Sequence, residues 1–183
     1  MIDIQQWQCP DPNQSPWAIE ENSLKVQVAE GNMWGFGGKA KNNLFLKRID
    51  TTEYAVQVAI NLAPSRAYEQ AGTGIYWDDD NYIKISKEMF NGRLSLVFAT
   101  ESSGNPRVNA LLDYPSDDVT VRLEKSQTGV TAMFSTDGGT HWQLVGTSEL
   151  LKGEDQGVML YTFSGSTQAP NTVTFSDLII ESL

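Results

Sequence analysis

Residues Tyr68 to Glu88 read YEQAGTGIYWDDDNYIKISKE, with three consecutive aspartates, Asp78, Asp79 and Asp80, between two alternating runs. Ala71, Thr73 and Ile75 fall on one face of a strand, and Ile83 and Ile85 on one face of the next. The link between them, WDDDN, is short and polar. Asp and Asn favour turns because their side chains bond nearby backbone and tolerate unusual dihedrals. The stretch therefore predicts a β-hairpin with an acidic tip. Calcium, held by carboxylate and carbonyl oxygens, is the alternative reading of the triplet. The alternating ligand positions, the glycine and the distant glutamate of an EF-hand loop are missing, so the plain turn is preferred and no metal or cofactor is assigned.

The other face of the same hairpin carries Gln70, Gly72, Gly74 and Tyr76 on the first strand, and Tyr82, Lys84, Ser86 and Glu88 on the second. Two glycines in a strand leave a trough. Aromatic rings beside an amide, an amine and a carboxylate match a sugar, which has apolar C–H faces and hydroxyl edges. The plainer alternative is a solvated face with a Lys84–Glu88 or cross-strand ion pair worth about 0–1 kcal/mol. In the binding reading, Lys84 holds Glu88 ionised, which suits a ligand contact better than a general acid.

Outward from the hairpin the pattern repeats. Tyr54–Ile60, Leu94–Thr100, Val119–Leu123, Val130–Phe134, Gly157–Phe163 and Thr172–Ile180 are short, β-rich or alternating, and no segment offers a long helical stripe. Many short strands between Gly, Asn and Asp turns predict an all-β antiparallel sandwich or barrel. Cys9 to Pro16, CPDPNQSP, reads as a loop because proline cannot donate to a ladder. Ser135 to Trp142, STDGGTHW, matches the S-x-D-x-G-x-x-W pattern of the sialidase Asp-box. That motif resembles a structural clip, with Asp137 capping the turn and Trp142 packing beneath it, so Asp137, Gly139 and Trp142 are read as fold.

A chain of 183 residues is expected to form one domain spanning residues 1–183. Its net charge of -10 repels nucleic acid and anionic membrane, so neither is expected as a partner. Neutral partners such as sugars meet no such repulsion. Cys9 is the only cysteine and His141 the only histidine, which argues against an internal disulfide, a catalytic thiol, a Ser–His–Asp triad and zinc. No apolar run has the length needed to cross a bilayer. MIDIQQWQCP shows no basic stretch leading into an apolar run, so a cytoplasmic location is expected.

Taken in order, WQCPDPNQSPWAIEENSLKV, MWGF, YEQAGTGIYWDDDNYIKISKE, VRLEKSQTGVTAMFSTDGGTHW and VTFSDLII span nearly the whole chain. In order and spacing they resemble the DUF1349 family of the concanavalin A-like lectin/glucanase superfamily. They are similar also to the C-terminal β-sandwich of family 43 β-xylosidases. The resemblance implies a concanavalin A-like jelly roll of two antiparallel sheets, one with a concave outer face. By position, Trp34, Glu69, Gln70, Lys84 and Glu88 match residues that line that face. Asn32 and Met33 stand where the family more usually has an acidic residue before the tryptophan. The compact E-x-D-x-x-E-like motif of the superfamily's glycosidases is missing. The expected function is a non-catalytic, carbohydrate-binding-like module. Trp34, Tyr76 and Tyr82 would stack on sugar rings, and Gln70, Lys84 and Glu88 would read hydroxyls, with Glu69 alongside. Two alternatives stay open: a glycosidase using Glu88 and Glu101, and a protein-interaction or regulatory domain using the same face on a protein partner.

Overall fold

A computed structural model describes residues 2–11, 16–36 and 43–183. Parts of two stretches read above, residues 12–15 of the proline-rich segment and residues 37–42 after MWGF, lie outside the described residues. Numbered in chain order, the strands form two antiparallel sheets. One runs β1 (Trp17–Glu20), β2 (Ser23–Gln27), β13 (Thr172–Ser182), β4 (Tyr54–Asn61), β9 (Asp118–Lys125), β10 (Val130–Ser135), β11 (Gln143–Ser148). The other runs β3 (Leu44–Arg48), β12 (Gly157–Phe163), β5 (Gln70–Asp78), β6 (Asn81–Phe90), β7 (Arg93–Ser102), β8 (Asn105–Asp113). Among the described residues no helix is long and apolar enough to cross a membrane.

Period-two alternation delivers the core. Val56, Val58, Ile60, Val121, Leu123 and Phe175 of the first sheet face Ile75, Ile83, Ile85, Phe98, Val158 and Leu160 of the second. Each such side chain contributes about 1.5–3 kcal/mol on burial. The six strands read from sequence are all present, most of them one to three residues longer. Strands β1, β2, β3 and β8 are not singled out by the sequence, although β2 alternates in burial. Strand β8 contains Pro106 and lies at a sheet edge, where a missing N–H disrupts no ladder.

The opening hairpin is confirmed as β5–β6, with Gln70 opposite Glu88, Gly72 opposite Ser86, Gly74 opposite Lys84 and Tyr76 opposite Tyr82. Its tip is Asp79–Asp80. Asp78 Oδ1 accepts the Asp80 N–H and an Asn81 Nδ2–H, each at 2.8 Å, and the Tyr76 hydroxyl donates to Asp79 Oδ1 at 2.5 Å. The STDGGTHW hairpin is a clip of the kind read from sequence. Ser135 Oγ accepts the Gly139 N–H at 2.9 Å, Asp137 Oδ1 accepts the His141 N–H at 2.9 Å, and Trp142 packs against Gly139. The Ser135 hydroxyl, donating to Asp137, is the main reason that carboxylate titrates well below its usual range.

One expectation is corrected here. Gly72 and Gly74 do not open a trough, because the β12 side chains Tyr161 and Met159 occupy the space. A Cβ on Gly72 would lie 2.6 Å from the Tyr161 hydroxyl, and one on Gly74 2.3 Å from the Met159 Cε. With Met33, Leu44, Leu46, Tyr76, Tyr82 and Phe163 these side chains form a second apolar cluster on the outer face of the six-stranded sheet. The hairpin is therefore buried on both faces along most of its length.

Candidate binding cleft

Open space on that face is displaced to the Gln70–Glu88 end of the hairpin. A cleft of about 420 Å³ opens there. Gln70, Glu88 and Val97 form its floor, Trp34, Tyr68 and Phe90 its walls, and Asn32 and Ser164 part of its rim. Glu88 and Val97 are buried, whereas Trp34 and Tyr68 are 37% and 48% exposed. Tyr68 meets Phe90 edge to face, with centroids 6.1 Å apart. Aromatic walls over a buried carboxylate give an amphipathic cavity within the usual size range for small ligands.

Each wall is fixed by its own polar anchors. Asn32 Oδ1 accepts the Trp34 N–H at 2.8 Å, an Asx turn that sets the indole. The Tyr82 hydroxyl lies 2.8 Å from the Met33 carbonyl oxygen and 2.5 Å from Glu101 Oε2, and Glu101 Oε2 also accepts the Gly35 N–H at 3.0 Å. Tyr82 and Glu101 thus bracket Trp34 on both sides. On the opposite wall Tyr68 has φ +63°, a left-handed conformation rare for a bulky residue. Its hydroxyl donates to Asn91 Oδ1 at 3.0 Å. Glu69 shapes the preceding turn by accepting the Ser65 and Arg66 N–H groups at 2.6 and 3.2 Å.

Of the residues named from sequence, Trp34, Gln70 and Glu88 meet in the cleft, and Lys84 lies buried beside it. Glu69 does not join them: it is odd in parity, buried, and engaged in the Ser65–Glu69 turn. Tyr76 and Tyr82 do not line it either, being packed in the second apolar cluster. Tyr68 and Phe90 stand where those rings were expected. The signal for Phe90 was available, since it carries the even parity one step past Glu88 on β6, whereas Tyr68 sits in the turn before β5. Asn32 and Ser164 come from loops, where parity says nothing.

Lys84 is buried beside the floor, on the same face of β6 as Glu88. Lys84 Nζ lies 2.5 Å from Gln70 Oε1, 5.6 Å from the Trp34 ring centroid and 5.2 Å from that of Tyr161. Cation–π contacts of this kind strengthen when desolvated. Burial lowers the Lys84 pKa, against the pull of Glu88 and Glu101. Burial likewise raises that of Glu88, against the pull of Lys84 and of the Ser86 hydroxyl, which donates to Glu88 Oε2 at 3.0 Å. The expectation that Lys84 decides the state of Glu88 is thereby corrected, because desolvation of the carboxylate outweighs it. Glu101 pairs across β6–β7 with Tyr82, whereas Glu88 pairs with Ser95. Six residues of strand, about 20 Å, separate the backbones of the two glutamates, and the Glu101 carboxylate is taken up by the Tyr82 hydroxyl and the Gly35 N–H.

The two-sheet architecture and its capped outer face define a concanavalin A-like β-sandwich. The chain belongs to the family of the β-xylosidase C-terminal concanavalin A-like domain, whose model matches residues 5–171. A mutant of the GH43 protein BlXynB from Bacillus licheniformis superposes with a TM-score of 0.81 at 18% identity, over 97% of this chain and 37% of that one. The chain thus spans little more than a third of that enzyme. A functionally unknown protein from Saccharomyces cerevisiae gives 0.78 at 18% identity, over 100% and 99% of the two chains. The carbohydrate-binding module CBM66 from Bacillus subtilis gives 0.65 at 12% identity, over 97% and 96%. At such identities the likeness is one of fold. No curated protein sequence matches the chain.

Proposed function

We propose that the protein is a non-catalytic carbohydrate-binding module whose ligand lies in the cleft between Trp34, Tyr68 and Phe90. The observation that carries this reading is the placing of two exposed aromatic rings over a buried, hydrogen-bonded carboxylate in one cleft. Sugar C–H faces would stack on Trp34 and Tyr68, while Glu88 accepts from hydroxyls. The fold shared with a carbohydrate-binding module and with the C-terminal domains of GH43 proteins supports the same reading. Glu101, held by the Tyr82 hydroxyl and the Gly35 N–H, does not line the cleft with Glu88, which favours binding over hydrolysis.

Calorimetric titration with xylo-, gluco- and arabino-oligosaccharides tests it. At least one series should bind with micromolar to millimolar affinity, and Trp34→Ala should weaken that binding by about tenfold or more, the loss of one well-packed ring. No heat from any series at millimolar concentration, with Trp34→Ala equally silent, would remove the proposal.

A further inference from the structure

Hydrogen-bond accounting in the cleft names the ligand class more narrowly, resting on the carbohydrate reading above. The ionisable group that a ligand can touch on the floor is a carboxyl. Glu88 lines the cleft, whereas Lys84 is not among its lining residues. The Lys84 ammonium is buried between Gln70 Oε1 and the rings of Trp34 and Tyr161. Arg66, which reaches the Gly165 carbonyl next to Ser164, is paired with Glu30 at 3.2 Å.

The hydroxyls that border the cleft already donate inward. Tyr68 donates to Asn91 Oδ1 and Ser164 to the Gly31 carbonyl, which leaves their lone pairs for a ligand. Gln70 has its oxygen on Lys84 and one amide hydrogen on the Tyr68 carbonyl. Glu88 Oε2 accepts from Ser86, and the carboxylate keeps lone pairs directed at the cleft it lines. What these residues offer is mainly acceptors, headed by a carboxylate, with neutral amide hydrogens and the Trp34 indole N–H as the remaining donors.

We infer that the cleft selects an uncharged, hydroxyl-rich sugar unit and rejects sugars that carry a carboxylate. A neutral sugar supplies O–H donors to Glu88, to the Tyr68 hydroxyl and to Ser164. A uronate brings a second carboxyl group against Glu88 in a desolvated site, and no cation stands among the described residues that line the cleft. The selection is independent of which neutral sugar fits the walls best.

Matched pairs test it on the wild-type chain: cellobiose against cellobiouronic acid, and xylobiose against xylobiose bearing a glucuronic acid branch, each at neutral pH. The neutral member should bind at least about tenfold tighter than its acidic counterpart, the scale of a hydrogen bond to a charged group. Glu88→Gln should narrow that ratio toward one. Because that variant removes a carboxyl that acts on the buried Lys84, Glu88→Gln combined with Lys84→Met is made in parallel, and both are checked by thermal melting. Equal or tighter binding of the acidic members overturns the selectivity while the carbohydrate reading stands. Silence from all four ligands, with the oligosaccharide series above also silent, overturns both.

Discussion

Glu88 and Lys84 are two titratable groups buried on one face of β6, and each pulls the other toward its charged form against desolvation. Removing one member of such a pair costs more than the pair contributes, since the survivor is left unpaired in a low-dielectric site. Lys84→Met should therefore destabilise the fold by about 3–5 kcal/mol. Adding Glu88→Gln to it should recover part of that loss. Urea unfolding of the wild type, both singles and the double measures this directly. Strictly additive losses would mean that the two side chains do not act as a pair. Lys87 makes a different prediction. It sits on the core-facing parity with Ile83 and Ile85, its Nζ donating to the Tyr114 carbonyl at 2.6 Å and lying 5.3 Å from the Tyr114 ring centroid. Burial pulls its pKa down from 10.5 to about 8, against the nearby charge of Asp117. Between those two values the unfolded chain holds a proton that the folded chain has released, so stability should rise with pH. Above pH 10 the buried tyrosines, whose pKa values burial raises, act in the opposite sense. The rise should thus show between about pH 8 and 10 in thermal melts. Lys84, whose pKa burial also lowers, adds to the rise, so Lys87→Met should flatten its share of the slope.

At the scale of the element, the β5–β6 hairpin was legible in sequence because its parity was unambiguous. Ile75, Ile83 and Ile85 face inward and Gln70, Lys84 and Glu88 face outward. The covering of that outward face was not legible. It depends on Tyr161, Met159 and Met33, which are distant in sequence and reach the hairpin only through sheet order and loop packing. Strand parity says which way a side chain points, and nothing about what lies above it. For the same reason Tyr76 and Tyr82 looked available and are buried. The glycines carry the consequence. A Cβ on Gly72 would lie 2.1 Å from the Ile85 carbonyl oxygen as well as against Tyr161, so backbone and side chain must both shift. Gly72→Ala should cost on the order of 2–4 kcal/mol. Gly92→Ala, in open space with φ +78°, should cost only about 1 kcal/mol, through its left-handed backbone alone. Urea unfolding of the two variants should separate them clearly. The acidic tip of the hairpin yields a second test. Asp78 and Asp79 already hold the turn through Asp80, Asn81 and Tyr76, so calcium or a chelator should leave the melting temperature unchanged. A calcium-dependent rise of several degrees would mark the tip as a metal site instead.

Across the whole molecule the six-stranded sheet has a cleft at one end and a polar lock at the other. The lock sits where β5 ends and β12 begins. The Tyr54 hydroxyl donates to Asp155 Oδ2 at 2.5 Å, Lys125 donates to Asp155 Oδ1, and the Lys125 Nζ lies 5.2 Å from the Tyr54 ring centroid. Trp77 Nε1 donates to the Gly153 carbonyl at 3.0 Å, and Gln156 Nε2 to the Trp77 carbonyl at 2.7 Å, which ties the loop before β12 across the mouth of the sandwich. Tyr54 and Lys125 are cross-strand partners on β4 and β9, but sequence alternation gave no reason to bring Asp155 to them, because that meeting requires the two sheets to be stacked. Seven residues of β5, about 23 Å, separate Trp77 from Gln70. Stability and binding should therefore be separable. Asp155→Ala leaves the Lys125 ammonium and the Tyr54 hydroxyl buried without their acceptor and should cost about 3–5 kcal/mol. Its melting temperature should fall by many degrees. At a temperature where the variant remains folded, its affinity for any sugar that binds the wild type should match the wild type within about twofold, since sites this far apart with no shared partners act independently. An affinity that falls in step with stability would show that the cleft depends on the far end of the sandwich, and the walls held by Asn32, Tyr82, Glu101 and Glu69 would not suffice to form it.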